Sequence, residues 1–358
     1  GQACALLREP TGLIGPVYGN RPWVAGNADG AGYYRHDLPD ADWGRLLAAG
    51  ATLPAPAALT AADSLWARYA AGRGSATELL SGAQALSGHP DRLVATWLAW
   101  PLGKAATEAL LPGSLAPWER VVRATWGTRL AGLGFVPARG TYAAEAPDTR
   151  QLRVRLVQLL ALDGRDPATR ATLKAATEKA LAGDLQAIDP SFRGTGLAVV
   201  AEDGGVAAAD RLFAALAGTE DPLLRRQLVT ALGYMPDAAA ARHVLGWTGD
   251  PRLQATEAIA LLSTLLGRPA TRDAALSFVE SSWDVVRPRL GGLLGRVLGA
   301  TGAFCSTADA ARGEALFRPR LADLNLGSLD LDRPVAAIRQ CAALNAARGA
   351  ELRGVLGN

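Results

Sequence analysis

The residues able to do chemistry are few and scattered. The three cysteines, Cys4, Cys305 and Cys341, include no Cys-x-x-Cys pair, which excludes a tetrathiolate zinc site. None of the three histidines, His36, His89 and His243, has a partner four residues away, the spacing that sets two imidazoles on one helical face. No metal or cofactor is therefore expected in this chain. Asp330 and Asp332 lie close together, but hydrolysis of a polysaccharide in a helical toroid needs a carboxylate on the far side of a cleft, and a distant counterpart is lacking. What remains is guanidinium chemistry. Arginine far outnumbers lysine, which occurs only at 104, 174 and 179, and its planar fork grips a carboxylate through two parallel hydrogen bonds. Arg225, Arg226 and Arg252 cluster one turn inside consecutive repeat starts and are candidate contacts for a peptide's C-terminal carboxylate, with structural use in the array as the alternative. His243, next to Arg242, reads as a solvated or locally bonded imidazole.

The elements that must position these groups are mostly helices. The chain has 358 residues, 49% of them apolar and 20% charged, with 37 basic against 34 acidic side chains. That composition excludes disorder, and the near balance of charge excludes the basic field of a nucleic-acid binder. Arg289 and Arg296 interrupt the most apolar stretch, so no membrane span is expected. Up to about Leu38 the residues read as extended: short apolar runs around Leu6-Leu7 and Leu13-Ile14, then a hairpin with Trp23-Val24 and Gly32–Arg35 flanking Asn27–Gly30. From Asp40 the period becomes helical, in about sixteen stretches with short breaks. Asp-Pro occurs at 166, 189, 221 and 250, and each pair reads as a helix start, since Asp accepts from first-turn amides and Pro surrenders an N–H with no partner. The last three are spaced 32 and 29 residues apart, about two helices and two turns, as in stacked helical hairpins. Broad apolar faces at 151–162 and 253–266 predict an inner layer; the Ala-rich stretches 169–183 and 205–217 predict an outer one. Trp97, Trp100, Trp118 and Trp126 read as core, with a sugar-binding platform as the alternative.

The run Asn27-Ala28-Asp29-Gly30-Ala31-Gly32-Tyr33-Tyr34-Arg35 closely resembles the Asn-x-x-x-x-Gly-Tyr-Tyr-Arg motif of zinc aminopeptidases of the aminopeptidase N family, where a β-sandwich hands over to the C-terminal helical domain. Leu59–Asp63, Leu79-Leu80, Trp97, Leu133-Gly134-Phe135, the Asp-Pro starts, Ala303-Phe304-Cys305, Ile338 and Cys341 extend the likeness over nearly the whole chain. The resemblance implies a mostly α fold, a right-handed superhelix of stacked antiparallel helix pairs of the HEAT/armadillo kind, with a short N-terminal β segment. Residues 1–38 would then close the β-sandwich and 39–358 form the solenoid, the chain beginning within a longer protein. Asn27, Gly32, Tyr33, Tyr34 and Arg35 would be structural, alternation placing Tyr33 and Arg35 on one face.

The implied function is that of a noncatalytic cap closing over the catalytic domain and shaping the peptide-access cavity of a peptidase that removes N-terminal residues. Its partners would be the catalytic and β-sandwich domains of the same polypeptide and peptide substrates, with no nucleic acid and no membrane span. Zinc would belong to the catalytic domain: neither H-E-x-x-H nor Gly-x-Met-Glu-Asn occurs here, and the sole methionine, Met235, precedes Pro236. Secreted bacterial relatives imply a Cys305–Cys341 disulfide and an extracytoplasmic location; three buried thiols in a cytoplasmic protein remain the alternative. A free-standing HEAT-like scaffold binding a protein or peptide is the other functional class, which the strand-like opening disfavours.

Overall fold

The computed structural model describes residues 23–357. The strands expected around Leu6-Leu7 and Leu13-Ile14, and Cys4, lie outside the described residues. From Asp40 onward helices follow one another across short breaks, and the described residues contain no strand.

The expected hairpin at 23–35 is not formed. The amides and carbonyls that a partner strand would engage are taken instead by one side chain. Buried Asn27 accepts from Gly32 N at 2.9 Å and donates to Gly32 O at 2.6 Å and Tyr34 O at 3.4 Å. Between them Asp29 and Gly30 turn the chain with φ of 53° and 66°. The Tyr34 hydroxyl then folds back to donate to Gly26 O at 3.0 Å. The result is a self-closed loop, with Tyr33 fully exposed.

The chain divides into two compact units, Gly1–Trp97 and Leu98–Asn358. In the first, the Asp40–Ala48, Ala55–Ala70 and Ala76–Ser87 helices bury Trp43, Leu46, Leu65, Leu79 and Leu86. Arg35 leaves the loop to meet Asp63 of the second helix, Nε to Oδ2 at 2.8 Å. Almost fully buried Arg68 gathers Asp37 at 2.6 Å, Glu78 at 3.1 Å and Asp40. Charge pairing thus fixes where the loop joins the helices.

In the second unit three Asp-Pro pairs start helices. Asp166 accepts from Thr169 N at 2.9 Å, Asp189 from Ser191 N at 3.0 Å and Asp221 from Leu223 N at 2.9 Å, each satisfying an orphan amide. Asp250-Pro251 does not. Arg252 claims the Asp250 carboxylate through its backbone N–H and its guanidinium, at 2.7–3.0 Å, and the next helix starts at Ala255 behind a Gln254/Glu257 capping box. The Pro190–Ala217 helix breaks sharply at Gly205, φ 55° and ψ −135°, a backbone state open to glycine alone.

The core of this unit is continuous from Leu197 to Ile338. Trp118 and Trp126 are buried, as core residues should be, but Trp100 is 70% exposed. The final helix, Ser328–Gly357, returns to the first, Ala99–Leu110: Asn345 donates to Glu108 O at 3.1 Å and Arg353 to Ala109 O at 2.8 Å. These bonds satisfy carbonyls at a helix C-terminus.

Candidate functional site: a cluster of arginines and carboxylates

One place in the second unit breaks several local rules at once. The Pro147–Gln158 helix unwinds into a single, wider π turn, Leu159–Asp163, a distortion that recurs at functional sites. Gly164 N closes on Leu159 O at 2.9 Å and Asp166 N on Leu160 O at 2.8 Å, while Arg123 donates to Gly164 O. Arg165 is forced to φ 44°, a left-handed state that costs a non-glycine residue about 1–2 kcal/mol. The strain aims its guanidinium at Glu202, 3.0 Å away.

Glu202 is the hub. Its carboxylate, almost wholly buried, receives Arg165, Arg170 at 2.9 Å and Arg268 at 2.8 Å. Arg170 also bonds the neighbouring Asp203, which Lys174 reaches at 3.3 Å. Burial alone would raise the Asp203 carboxyl, but these two cations hold it below its ordinary value. Arg268 lies over the Tyr234 ring, 4.2 Å from its centroid, a cation–π arrangement. Burial chiefly pushes the Tyr234 phenol upward.

Asp163 differs from the other carboxylates. It is exposed, although packing around its turn still desolvates the carboxyl in part. Among the described residues no hydrogen bond or ion pair engages it. Burial pushes its pKa up to about 6; Arg155 and Arg268 oppose the shift and Glu202 adds to it. The cluster therefore sets five cations, Arg155, Arg165, Arg170, Lys174 and Arg268, against Asp163, Glu202 and Asp203. Its two net positive charges favour an anionic ligand group, while the unpaired Asp163 carboxylate works against one.

The arginines singled out by sequence are used differently. Arg225 spends its fork on Glu257, two bonds of 2.8 Å, and its other donors on the carbonyls of Leu216, Thr219 and Arg252. Arg252 pairs with Asp250 and covers the Phe213 ring at 4.8 Å. Arg226 is exposed, and no ion pair engages it among the described residues. His243 bonds Asp210 at 2.7 Å. Cys305 and Cys341 are joined, their Cα atoms 5.0 Å apart.

Sequence reading missed Asp163, Glu202, Tyr234 and Arg268. The available signal was the crowding of opposite charges around glycine at Asp163-Gly164-Arg165-Asp166 and Glu202-Asp203-Gly204. Among the described residues no group of three or more histidine, cysteine or acidic side chains could hold a metal ion.

A family profile described as the ERAP1-like C-terminal domain matches residues 23–338. No curated protein matches the chain.

Proposed function

Since the chain belongs to the ERAP1-like C-terminal domain family, the C-terminal part of aminopeptidases of that type, we propose that it caps the catalytic domain of a zinc aminopeptidase and shapes the cavity through which peptides enter. The mechanism is steric: a wall of stacked helices admits flexible chains and turns away folded ones. Support for the stacking of helical hairpins comes from polar cross-links that recur between side chains 32–34 residues apart: Arg170 to Glu202, Arg211 to Glu178, Arg193 to Gln227, His243 to Asp210, Arg225 to Glu257 and Arg312 to Glu280. Such a register is what successive helical hairpins produce. On this reading residues 39–358 form the cap, and the loop at Asn27–Arg35 is the joint to a preceding β-sandwich.

The arginine cluster gives the cap a direct role in substrate binding. A peptide's C-terminal carboxylate stays ionised above about pH 4, and Arg155, Arg268 and the Tyr234 hydroxyl offer it donors where two positive charges are in excess. The single observation carrying this assignment is the excess of cationic over anionic side chains gathered around Glu202, with Arg268 laid over the Tyr234 ring. Arg226 is a further exposed contact; Arg225 and Arg252, already committed, hold the array. The Cys305–Cys341 bond supports an oxidising, extracytoplasmic setting.

The test uses the whole peptidase polypeptide and one short peptide prepared as C-terminal acid and as amide. The acid is expected to show the lower KM, and Arg268→Met to remove that preference with little change for the amide. Equal KM values for acid and amide in the unmodified enzyme contradict the carboxylate assignment.

A further inference from the structure

The loop at Asn27–Arg35 is tied to the first unit by the Arg35–Asp63 pair and, next to it, by one titratable ring. His36 lies between two packed surfaces. On one side its imidazole stacks on the Trp43 ring of the Asp40–Ala48 helix, the centroids 5.5 Å apart and the planes 14° from parallel. On the other it backs onto the loop itself, so closely that a Cβ at Gly26 would lie 2.6 Å from it. Ser64 of the Ala55–Ala70 helix supplies the polar contact: its hydroxyl accepts from His36 N at 3.2 Å and lies 3.3 Å from Nδ1. Having accepted from the amide, that hydroxyl has its own proton to give to Nδ1, so the neutral ring with its proton on Nε2 is the form that fits. Nε2 is shut off from solvent and has no hydrogen-bond partner among the described residues. His89 in the same unit differs, with Leu53 O 2.9 Å from its Nε2 and Asp91 N donating to its Nδ1 at 3.0 Å.

We propose that His36 is a proton-sensitive latch for this loop: the neutral ring holds residues 26–36 against the two helices, and the imidazolium releases them. A proton arriving at Nδ1 takes the lone pair that Ser64 donates to, and it puts a charge on a ring whose other nitrogen neither water nor a partner reaches. The latch lies wholly within the first unit and does not depend on the cap reading.

The acids around the ring already have cations. On its own segment, Asp37 is bound by Arg68 at 2.6 Å and by Arg73 at 3.3 Å, while Arg35 is spent on Asp63. From the Asp40–Ala48 helix, Asp40 is engaged by Arg68 and Asp42 by Arg45. The Ala55–Ala70 helix contributes Asp63 and Arg68, and the Ala76–Ser87 helix Glu78, again on Arg68. No carboxylate is left over to compensate an imidazolium. Burial accordingly lowers the His36 pKa, with Asp37 opposing the shift. The sign follows from linkage: the released loop binds the proton more readily, so docking is strongest above about pH 6.5 and weakens as pH falls below it.

The experiment follows amide hydrogen exchange in the full chain at pH 7.5 and pH 5, each rate divided by that of an unstructured peptide at the same pH. In the unmodified protein, protection at Gly30, Gly32 and His36, whose amides are bonded in the docked loop, is expected to fall at least about threefold at pH 5 while the Ala55–Ala70 helix keeps its own. His36→Phe keeps a ring for Trp43 and cannot take a proton, so its loop protection is expected to be the same at both pH values. His36→Asn, also neutral and able to accept from Ser64, replaces it if the phenylalanine variant fails to fold. An equal fall in the neutral variant, or no fall in the unmodified protein, overturns the latch. Loss of protection in the helix to the same extent as in the loop overturns it too, because the whole unit then opens. Exchange of the imidazole C2 proton gives a second reading: a His36 midpoint below about 6.5 is expected, and one at or above that value contradicts the proposal.

Discussion

Arg225 reaches across 32 residues to hold Glu257 in a two-pronged ion pair, Nε to Oε1 and Nη2 to Oε2, both at 2.8 Å. Each side chain is 12% exposed, and the same arginine satisfies carbonyls at the end of the preceding helix and in the following loop. One residue thus stitches together three consecutive pieces of the array.

Removing it should be costly because the partner is left charged and enclosed. Arg225→Met is expected to destabilise the protein by about 2–4 kcal/mol, and Arg225→Lys, which keeps the charge but loses the fork, by about 1–2 kcal/mol. The Glu257 carboxyl would rise with burial, but Arg225 holds it below its ordinary value. Its contribution is therefore present above the unfolded pKa and lost as pH falls through the lower folded value. Urea unfolding at neutral and acid pH checks both statements: the difference between Arg225→Met and the unmodified protein should shrink on acidification.

The loop at Asn27 should open locally without unfolding its unit. Asn27→Ala leaves the Gly32 amide and carbonyl without their partner, a loss of about 1–2 kcal/mol. Gly32→Ala should do the same for a steric reason, since a Cβ there would lie 2.1 Å from the Tyr34 ring. Hydrogen exchange reads the outcome: amides at 26–36 accelerate in both variants while those of the Ala55–Ala70 helix keep their rates.

Asp163 should destabilise the folded protein at neutral pH. Its folded pKa of about 6 exceeds the unfolded value of about 3.9, so the folded state binds the extra proton, and stability falls as pH rises through that window. Discounted for its solvent access, the effect is about 1 kcal/mol. Asp163→Asn is accordingly expected to raise Tm at pH 7.5 and to leave it unchanged below about pH 4.

The Cys305–Cys341 bond closes a segment with a sequence separation of 36. A loop of that length corresponds to roughly 3–4 kcal/mol in the chain-entropy account. Non-reducing mass spectrometry of protein from its native source should yield the linked peptide, and reduction should lower Tm. Complete alkylation of both thiols without reductant contradicts the bond and the oxidising compartment together.

Sequence carried the helical class, the starts at Asp166, Asp189 and Asp221, and the loop motif, because capping and short-range turn chemistry are local. Asp250-Pro251 opens instead a turn that Leu253 N closes on Asp250 O at 3.1 Å, and the Gln254/Glu257 capping box then starts the helix. The hairpin failed because one buried side chain, Asn27, substitutes for a partner strand, which alternation of residue types does not reveal. The arginine cluster was illegible for another reason. Asp163, Glu202, Tyr234 and Arg268 sit on separate segments, and only packing shows that three arginines converge on Glu202 and none on Asp163.

The cap reading stands or falls on access. The decisive measurement compares hydrolysis, by the whole peptidase polypeptide, of one N-terminal sequence presented on a short flexible peptide and on a stably folded protein. The account predicts rapid release of the N-terminal residue from the peptide and a rate at least about a hundredfold lower from the folded protein, a difference of about 3 kcal/mol in barrier. Similar rates on the two would contradict a helical wall that screens what reaches the catalytic domain.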